Sequence, residues 1–149
     1  MENKEQEKLV RLIYVSIMTV DCDTEALENI LKVSRVNNAK RQITGMLCYD
    51  PAFFMQCIEG PREAINELYT DISRDKRHTN LTLLEYVDAD ARLFGEWSMG
   101  FIPSGQIDKI VLEKYTTSGG RFNPFALTGK QAREFLIDVA NINRTKMKG

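Results

Sequence analysis

Apolar residues occur in short runs along the first hundred residues, and stretches with helical spacing of apolar positions separate several of these runs. The runs are rich in β-branched and aromatic residues, as is typical of strands. They predict five strands, over residues 9–18, 43–49, 52–58, 81–87 and 94–102. The turn dipeptide Asp50-Pro51 between the second and third runs predicts an antiparallel hairpin.

Two helices are predicted between these strands. The first covers residues 25–38, where Leu27 and Ile30 begin a stripe with helical spacing. The second starts at Pro61, because proline suits the first helical position, and ends in the basic run 74–78. The order βαββαββ, with two helices on one face of a mixed sheet, predicts a ferredoxin-like α+β sandwich.

The remainder of the chain is predicted to add two C-terminal helices. A short one is indicated by the apolar residues Ile107, Ile110, Val111 and Tyr115. A longer one follows Thr128 and Gln131, which are spaced as in a capping box. We therefore expect a flexible N-terminus over 1–8, a main domain over 9–103 and a helical extension over 104–149.

Composition narrows the class of protein. The chain has 149 residues, 43% of them hydrophobic and 28% charged, with a net charge of −1, so one globular domain without direct nucleic-acid binding is expected. Cys22, Cys48 and Cys57 form no CxxC pair, which argues against a disulfide framework or a zinc site. The polar N-terminus and the lack of a long apolar stretch predict a cytoplasmic protein without a membrane partner.

The residues of an ordinary enzyme are hard to find in this sequence. Any Ser-His-Asp or Cys-His arrangement would need the single histidine, His78, and nothing places a nucleophile beside it. There are too few ligands for a metal site and there is no glycine-rich phosphate loop. Tyr14, in the middle of the first strand, could donate an electron and a proton, or it could be a core tyrosine.

Three amide side chains accompany the hairpin. Gln56 lies inside an apolar run, where its four hydrogen-bonding positions would be costly to leave unpaired, and Asn37 and Asn38 end the preceding helix. One interpretation is a flat ligand with donors and acceptors along one edge. It would lie beside the helical face that changes from apolar at Ile30 to polar at Ser34. The other places Gln56 on the solvent face of an edge strand and the asparagines in a helix cap, and local pattern alone favours it.

Six segments together resemble the BLUF domain, a blue-light sensor that uses FAD. They occur in the family's order and at similar spacings, from residue 9 to about residue 102. They are RLIYVS with Tyr14, SRVNN with Asn37 and Asn38, ITGMLCY, FFMQCIEG with Gln56, RDKRH with Arg77 and His78, and FGEWSM with Trp97 and Met99. The C-terminal part, including FNP, is more loosely similar to the two-helix extension of short, single-domain members.

The resemblance implies a role for each of these residues. Tyr14 would donate an electron and a proton to excited flavin, and Gln56 would lie between the two and rearrange its hydrogen bonds. The residues expected to hold the flavin are Ile30 and Ile72 on the two faces of its ring, and Ser34, Asn37, Asn38, Gln56, Arg77 and His78 along its polar parts. Trp97 and Met99 would share one face of their strand and pass the signal to the C-terminal helices.

The expected function is a blue-light photoreceptor that binds FAD, is not itself an enzyme and signals to a regulatory protein. A strengthened hydrogen bond to the flavin would lower its excitation energy, so a red-shifted signalling state is predicted. FMN or riboflavin could occupy a similar site, and short family members suggest a homo-oligomer. The alternative from another class is a flavin-dependent oxidoreductase, which would need an open face for a second substrate.

Overall fold

One mixed sheet organises the described part of the chain, which in this computed structural model comprises residues 8–19, 24–116 and 120–147. Its strands are β1 (Leu9–Met18), β2 (Thr44–Asp50), β3 (Phe53–Pro61), β4 (His78–Asp88) and β5 (Gly100–Pro103). Their order across the sheet is β4-β1-β3-β2-β5, with antiparallel neighbours except for the parallel pair β2 and β5. The helices are α1 (Thr24–Lys40), α2 (Arg62–Arg74), α3 (Lys109–Lys114) and α4 (Gly129–Met147).

Helices cover both faces of the sheet, and each face has its own core. Alternate residues of a strand point to opposite faces, so neighbouring strand residues join different cores. The core beneath α1 and α2 includes Leu12, Tyr14, Leu27, Leu31, Ile58 and Ile65. The core beneath α3 and α4 includes Ile13, Met55, Cys57, Val111, Phe135 and Val139. The predicted ferredoxin-like sandwich with two C-terminal helices is therefore confirmed, and those helices close the second face.

The predicted end of α2 is confirmed, but the predicted starts of α2 and of β4 are wrong. Pro61 is the last residue of β3, in register with Leu9, and it precedes α2 as an extended cap residue with φ −60° and ψ 140°. Helix α2 ends at Arg74, and His78 is the first residue of β4, opposite Met18. His78 therefore belongs to the sheet rather than to the end of a helix.

The last predicted strand is wrong over most of its length, because β5 begins only at Gly100. The backbone N–H groups of Leu93 and Phe94 donate to the carboxylate of Glu59, at 2.7 and 3.0 Å, instead of to a neighbouring strand. A Cβ at Gly100 would lie 2.8 Å from the Trp97 ring, so this close packing requires glycine. Residues 93–99 thus form a connection, not a strand.

The C-terminal helices are where the sequence predicted them. Thr128 and Gln131 form the predicted capping box, with reciprocal bonds of 3.0 and 3.1 Å. The stripe on the short helix is largely interior, because Ile107 and Val111 are 8% and 5% exposed whereas Ile110 is 74% exposed. The α3 stripe therefore packs against the sheet and α4 rather than forming an open apolar surface.

Some predictions concern residues outside the described ranges. These are the flexible N-terminus, apart from Lys8, and the position of Cys22 in the loop before α1. Within the described ranges, no helix has both the length and the apolar character needed to cross a bilayer.

Candidate functional site

A cavity of about 250 Å³ lies between the α1–α2 pair and the sheet. Its lining includes every residue proposed from the sequence for the flavin site, namely Tyr14, Ile30, Ser34, Asn37, Asn38, Gln56, Ile72, Arg77, His78 and Met99. Trp97, which the resemblance assigns to signalling together with Met99, does not line the cavity, because it packs against the core on the opposite face of the sheet. One cavity therefore unites side chains from strands β1, β3 and β4, helices α1 and α2, and the connection before β5.

Tyr14 and Gln56 form the centre of the site. They are directly opposite each other on the paired central strands β1 and β3, and the Tyr14 hydroxyl donates to Gln56 Oε1. The Gln56 amide Nε2 donates to Met99 Sδ at 3.4 Å. Gln56 is only 7% exposed and β3 is an interior strand, so the solvent-face interpretation of this amide is wrong.

Burial controls the protonation of Tyr14, which is 1% exposed. Desolvation raises the pKa of Tyr14 well above its usual value of 10.0, since an apolar environment disfavours the phenolate. The hydroxyl therefore keeps its proton near neutral pH and remains a donor to Gln56.

The C-terminal turn of α1 supplies the second buried amide. Asn38 is 2% exposed, and its amide donates to the Ser98 carbonyl at 2.9 Å. The neighbouring Asn37 also lines the cavity but is exposed. Helix α1 continues to Lys40, so both asparagines lie inside its last turn rather than at its end. Asn38 thus connects the cavity to the connection that precedes β5.

His78 borders the cavity from β4, and its orientation is set by Ser16. The Ser16 hydroxyl and His78 Nδ1 lie 2.7 Å apart. The imidazole also meets the rings of Tyr14 and Phe54 edge-on, at centroid distances of 6.1 and 5.0 Å. Burial lowers the pKa of His78 from its usual value, which favours the neutral ring.

A partly exposed ion pair stands at the same side of the cavity. Arg77 binds Asp75 with Nε 3.0 Å from Oδ1 and Nη2 2.6 Å from Oδ2. These hydrogen bonds lower the pKa of Asp75 to about 2, so the pair is ionised at neutral pH. Arg77 therefore presents a fixed cation rather than a freely rotating one.

The chemistry of this cavity suits a planar heteroaromatic group with a polar edge. Apolar side chains from two helices, Ile30 and Ile72, line it together with the strand residues Leu47 and Phe54. An isoalloxazine ring carries both donors and acceptors along one edge, and an amide side chain supplies both kinds of partner. In the described ranges, no cluster of His, Cys, Asp or Glu could hold a metal ion.

The sequence interpretation missed two residues that line the cavity and two that bond its lining residues. Arg35 donates to the Met99 carbonyl at 2.9 Å, and Asp71 and Asp75 line the cavity from α2 and the residues after it. Ser16 could have been found, because it shares a strand face with Tyr14 two residues earlier. The helical positions gave no comparable signal, since exposed charges on helices are common.

The fold and this amide-lined cavity define a sensor module for a flavin, and comparison with known families agrees. The chain belongs to the BLUF family, sensors of blue light using FAD, whose sequence profile matches residues 9–100. FAD is accordingly the cofactor that members of this family use.

Relatives with known roles match this module within longer chains. The photoactivated adenylate cyclase subunit alpha of Euglena gracilis is 34% identical over 96 residues, which are 63% of this chain but 9% of that protein. The blue light- and temperature-regulated antirepressor BluF of Escherichia coli is 33% identical over 91 residues, 61% of this chain and 23% of that protein. The likeness is therefore confined to the sensor module.

Two solved structures match nearly the whole chain. BlsA in its photo-activated state is 29% identical with a TM-score of 0.78, over 88% of this chain and 94% of BlsA. BlrB, a BLUF protein in its dark state, is 29% identical with a TM-score of 0.75, over 92% of this chain and 98% of BlrB. Both matches extend beyond residue 100, so they include C-terminal helices as well as the sheet.

Proposed function

We propose that this chain is a blue-light photoreceptor in which Tyr14 and Gln56 carry out the photochemistry of a flavin bound in the cavity. The observation that carries the proposal is the buried series Tyr14 hydroxyl, Gln56 amide and Met99 sulfur. Bound FAD would supply blue-light absorption and accept an electron. Tyr14 would lose an electron to this acceptor and pass its phenolic proton to Gln56 Oε1, the atom that accepts its hydrogen bond.

Gln56 is suited to store the result of that transfer. A primary amide has two nearly isosteric orientations that exchange its donor and acceptor against the same neighbours. In the arrangement described, Oε1 faces Tyr14 and Nε2 faces Met99. Rotation or tautomerisation of the amide would alter both contacts at once without a large movement of the backbone.

The remaining residues of the cavity would hold the flavin. The side chains of Ile30 and Ile72 would pack against its ring, and Asn38 would bind its polar edge beside Gln56. The residues proposed for its other polar parts are Ser34, Asn37, Arg77 and His78, all of which line the same cavity. The apolar walls and buried amides support FAD, while FMN or riboflavin would present the same ring.

We further propose that the chain signals to a regulatory protein partner and has no enzymatic activity of its own. Residues 9–103 would form the sensor and residues 104–149 its helical extension, through which copies would associate. Free, buried thiols at Cys48 and Cys57 support a reducing, cytoplasmic location.

An absorption spectrum in the dark and under blue light tests the proposal directly. The purified protein should be yellow, and illumination should shift its flavin absorption reversibly to longer wavelength. A colourless protein that takes up no added flavin would contradict cofactor binding. A yellow protein that bleaches without a reversible shift would instead favour the flavin-dependent oxidoreductase.

Asn38→Ala is expected to weaken flavin binding. Loss of one hydrogen bond to a buried polar edge costs about 1–3 kcal/mol, or roughly thirtyfold in Kd at the middle of that range. Flavin titration monitored by fluorescence would measure the change. Asn66→Ala provides a matched control, because Asn66 is exposed on α2 and bonds Tyr86 rather than lining the cavity. Equal affinity in both variants would contradict the role assigned to Asn38.

A further inference from the structure

The connection over residues 93–99 is held from both faces of the sheet. On the cavity side, Asn38 donates to the Ser98 carbonyl and Arg35 donates to the Met99 carbonyl, each at 2.9 Å. On the opposite side, Phe94 and Trp97 stack on each other with ring centroids 6.4 Å apart and pack against the core beneath α3 and α4. The segment thus passes around the edge of the sheet. Only Ser98 separates Met99, which lines the cavity, from Trp97 on the other face.

Arg144, near the C-terminal end of α4, contacts this connection on the side away from the cavity. Its Nε donates to Glu96 Oε2 at 2.6 Å, and its Nη2 donates to the Leu93 carbonyl at 3.1 Å. Its guanidinium carbon lies 5.2 Å from the Trp97 ring centroid, within the range of a cation–π contact. Nη1 also bonds Asn141 on the same helix. One planar group therefore joins α4 to three residues of the connection.

The adjacent Asn143 ties the same end of α4 to the chain that follows β5. Asn143 is fully buried, and its amide donates to the Gln106 carbonyl at 3.3 Å and to the Val139 carbonyl at 2.8 Å. The last part of α4 is therefore attached to the segments before and after β5. A displacement of β5 or its preceding connection would be transmitted to this part of the helix.

We infer that Arg144 is a positioning residue that couples the flavin cavity to the C-terminal end of α4. This inference rests on the proposed photochemistry of Gln56. A change in the Gln56–Met99 contact would shift the Met99 peptide, and Trp97 would then move against the guanidinium on the other face. Arginine suits this position because its rigid fork can bind a carboxylate and a carbonyl while its plane faces an aromatic ring.

This route differs from the one predicted from the sequence. The sequence predicts that Trp97 and Met99 share a strand face and pass the signal to the C-terminal helices. They lie instead on opposite faces, with Met99 in the core beneath α1 and α2 and Trp97 against the core beneath α3 and α4. Since the described contacts of Trp97 include Arg144, α4 receives the change directly.

Hydrogen exchange of amides 139–147, in the dark and under blue light, tests the inference on the flavin-loaded full chain. The wild type should show a light-induced difference in this range. Arg144→Ala should lose that difference while keeping the reversible spectral shift, and Arg144→Lys should also lose it because an ammonium cannot make the three contacts together. Glu96→Gln, which keeps Arg144 and removes only its charged partner, should reduce the difference.

Lys130→Ala is the matched control on the same helix. Its side chain is 74% exposed and pairs with Glu134 near the other end of α4, so it should retain both the spectral shift and the exchange difference. A difference that persists in Arg144→Ala, or is absent from the wild type despite a normal spectral shift, would overturn the coupling role alone. No spectral shift in the wild type would overturn the proposed photochemistry and this inference with it.

Discussion

Replacement of Tyr14 by Phe is expected to leave the flavin bound and to abolish the reversible spectral shift under blue light. The substitution keeps the aromatic ring in the core, so the shape of the cavity changes little. It removes the phenolic proton and the hydrogen bond to Gln56 Oε1. Without that donor, light would excite the flavin but could not drive the transfer that resets the Gln56 amide. Difference absorption spectroscopy on the illuminated variant measures the outcome.

Tyr69→Phe provides the matched control for this prediction. Tyr69 is a partly buried tyrosine of α2, and its ring centroid lies only 5.9 Å from that of Tyr14. It should keep a full spectral shift, because Tyr14 is the residue that donates to Gln56. A normal shift in Tyr14→Phe would contradict the assignment of Tyr14 as the donor. Loss of the shift in both variants would show that any disturbance of this core abolishes it, and that the loss is not specific to the Tyr14 hydroxyl.

Local patterns marked the candidate residues of the site, but only the resemblance to the BLUF domain assigned Gln56 and the asparagines to a flavin. Tyr14 and Gln56 stand in two dense strand-like runs, and their pairing follows from the antiparallel order of β1 and β3. The helical spacing of Ile30, Ser34 and Asn38 puts all three on one face of α1, and that face lines the cavity. Local periodicity carries such information because each element buries one face.

The structure of residues 94–99 could not be anticipated in this way. The aromatic residues Phe94 and Trp97 suggest a strand, and the glycines at 95 and 100 do not by themselves show where the connection ends. Glu59, more than thirty positions earlier in the chain, determines the outcome by binding the N–H groups of Leu93 and Phe94. A contact so distant in sequence leaves no periodic trace. Because residues 93–99 are not a strand, Trp97 and Met99 lie on opposite faces, and the sequence did not predict this either.

Glu59 itself illustrates why a buried charge is difficult to interpret from sequence alone. It follows the apolar run of β3 and resembles a solvent-facing strand residue, yet it is 0% exposed. Its Oε2 lies 3.6 Å from Nε of Arg11, a residue only 7% exposed. The cost of burying this carboxylate is offset by the two backbone donors and the nearby cation, which only the folded chain brings together.

Glu59→Gln is therefore expected to destabilise the protein by about 3–5 kcal/mol, the usual cost of removing one partner of a buried ion pair. An amide has one acceptor oxygen for the two N–H groups of Leu93 and Phe94, and its NH₂ group would face the other donor. Arg11 Nε and Nη1 already lack a hydrogen-bond partner, so the substitution would leave a buried cation without its counter-ion. Urea unfolding of the flavin-loaded protein, followed by circular dichroism at one flavin concentration, measures the loss.

The control and a second substitution separate the causes of that loss. Glu67→Gln removes a carboxylate that is 66% exposed and 3.9 Å from Arg41, and it should change the stability by about 0.5 kcal/mol or less. If the uncompensated Arg11 charge dominates the cost, Arg11→Met combined with Glu59→Gln should be more stable than Glu59→Gln alone, because no charge is then left buried. A loss below about 1 kcal/mol in Glu59→Gln would mean that the 93–99 connection is held by Arg92 and Arg144 instead, since their side chains also bond its neighbourhood.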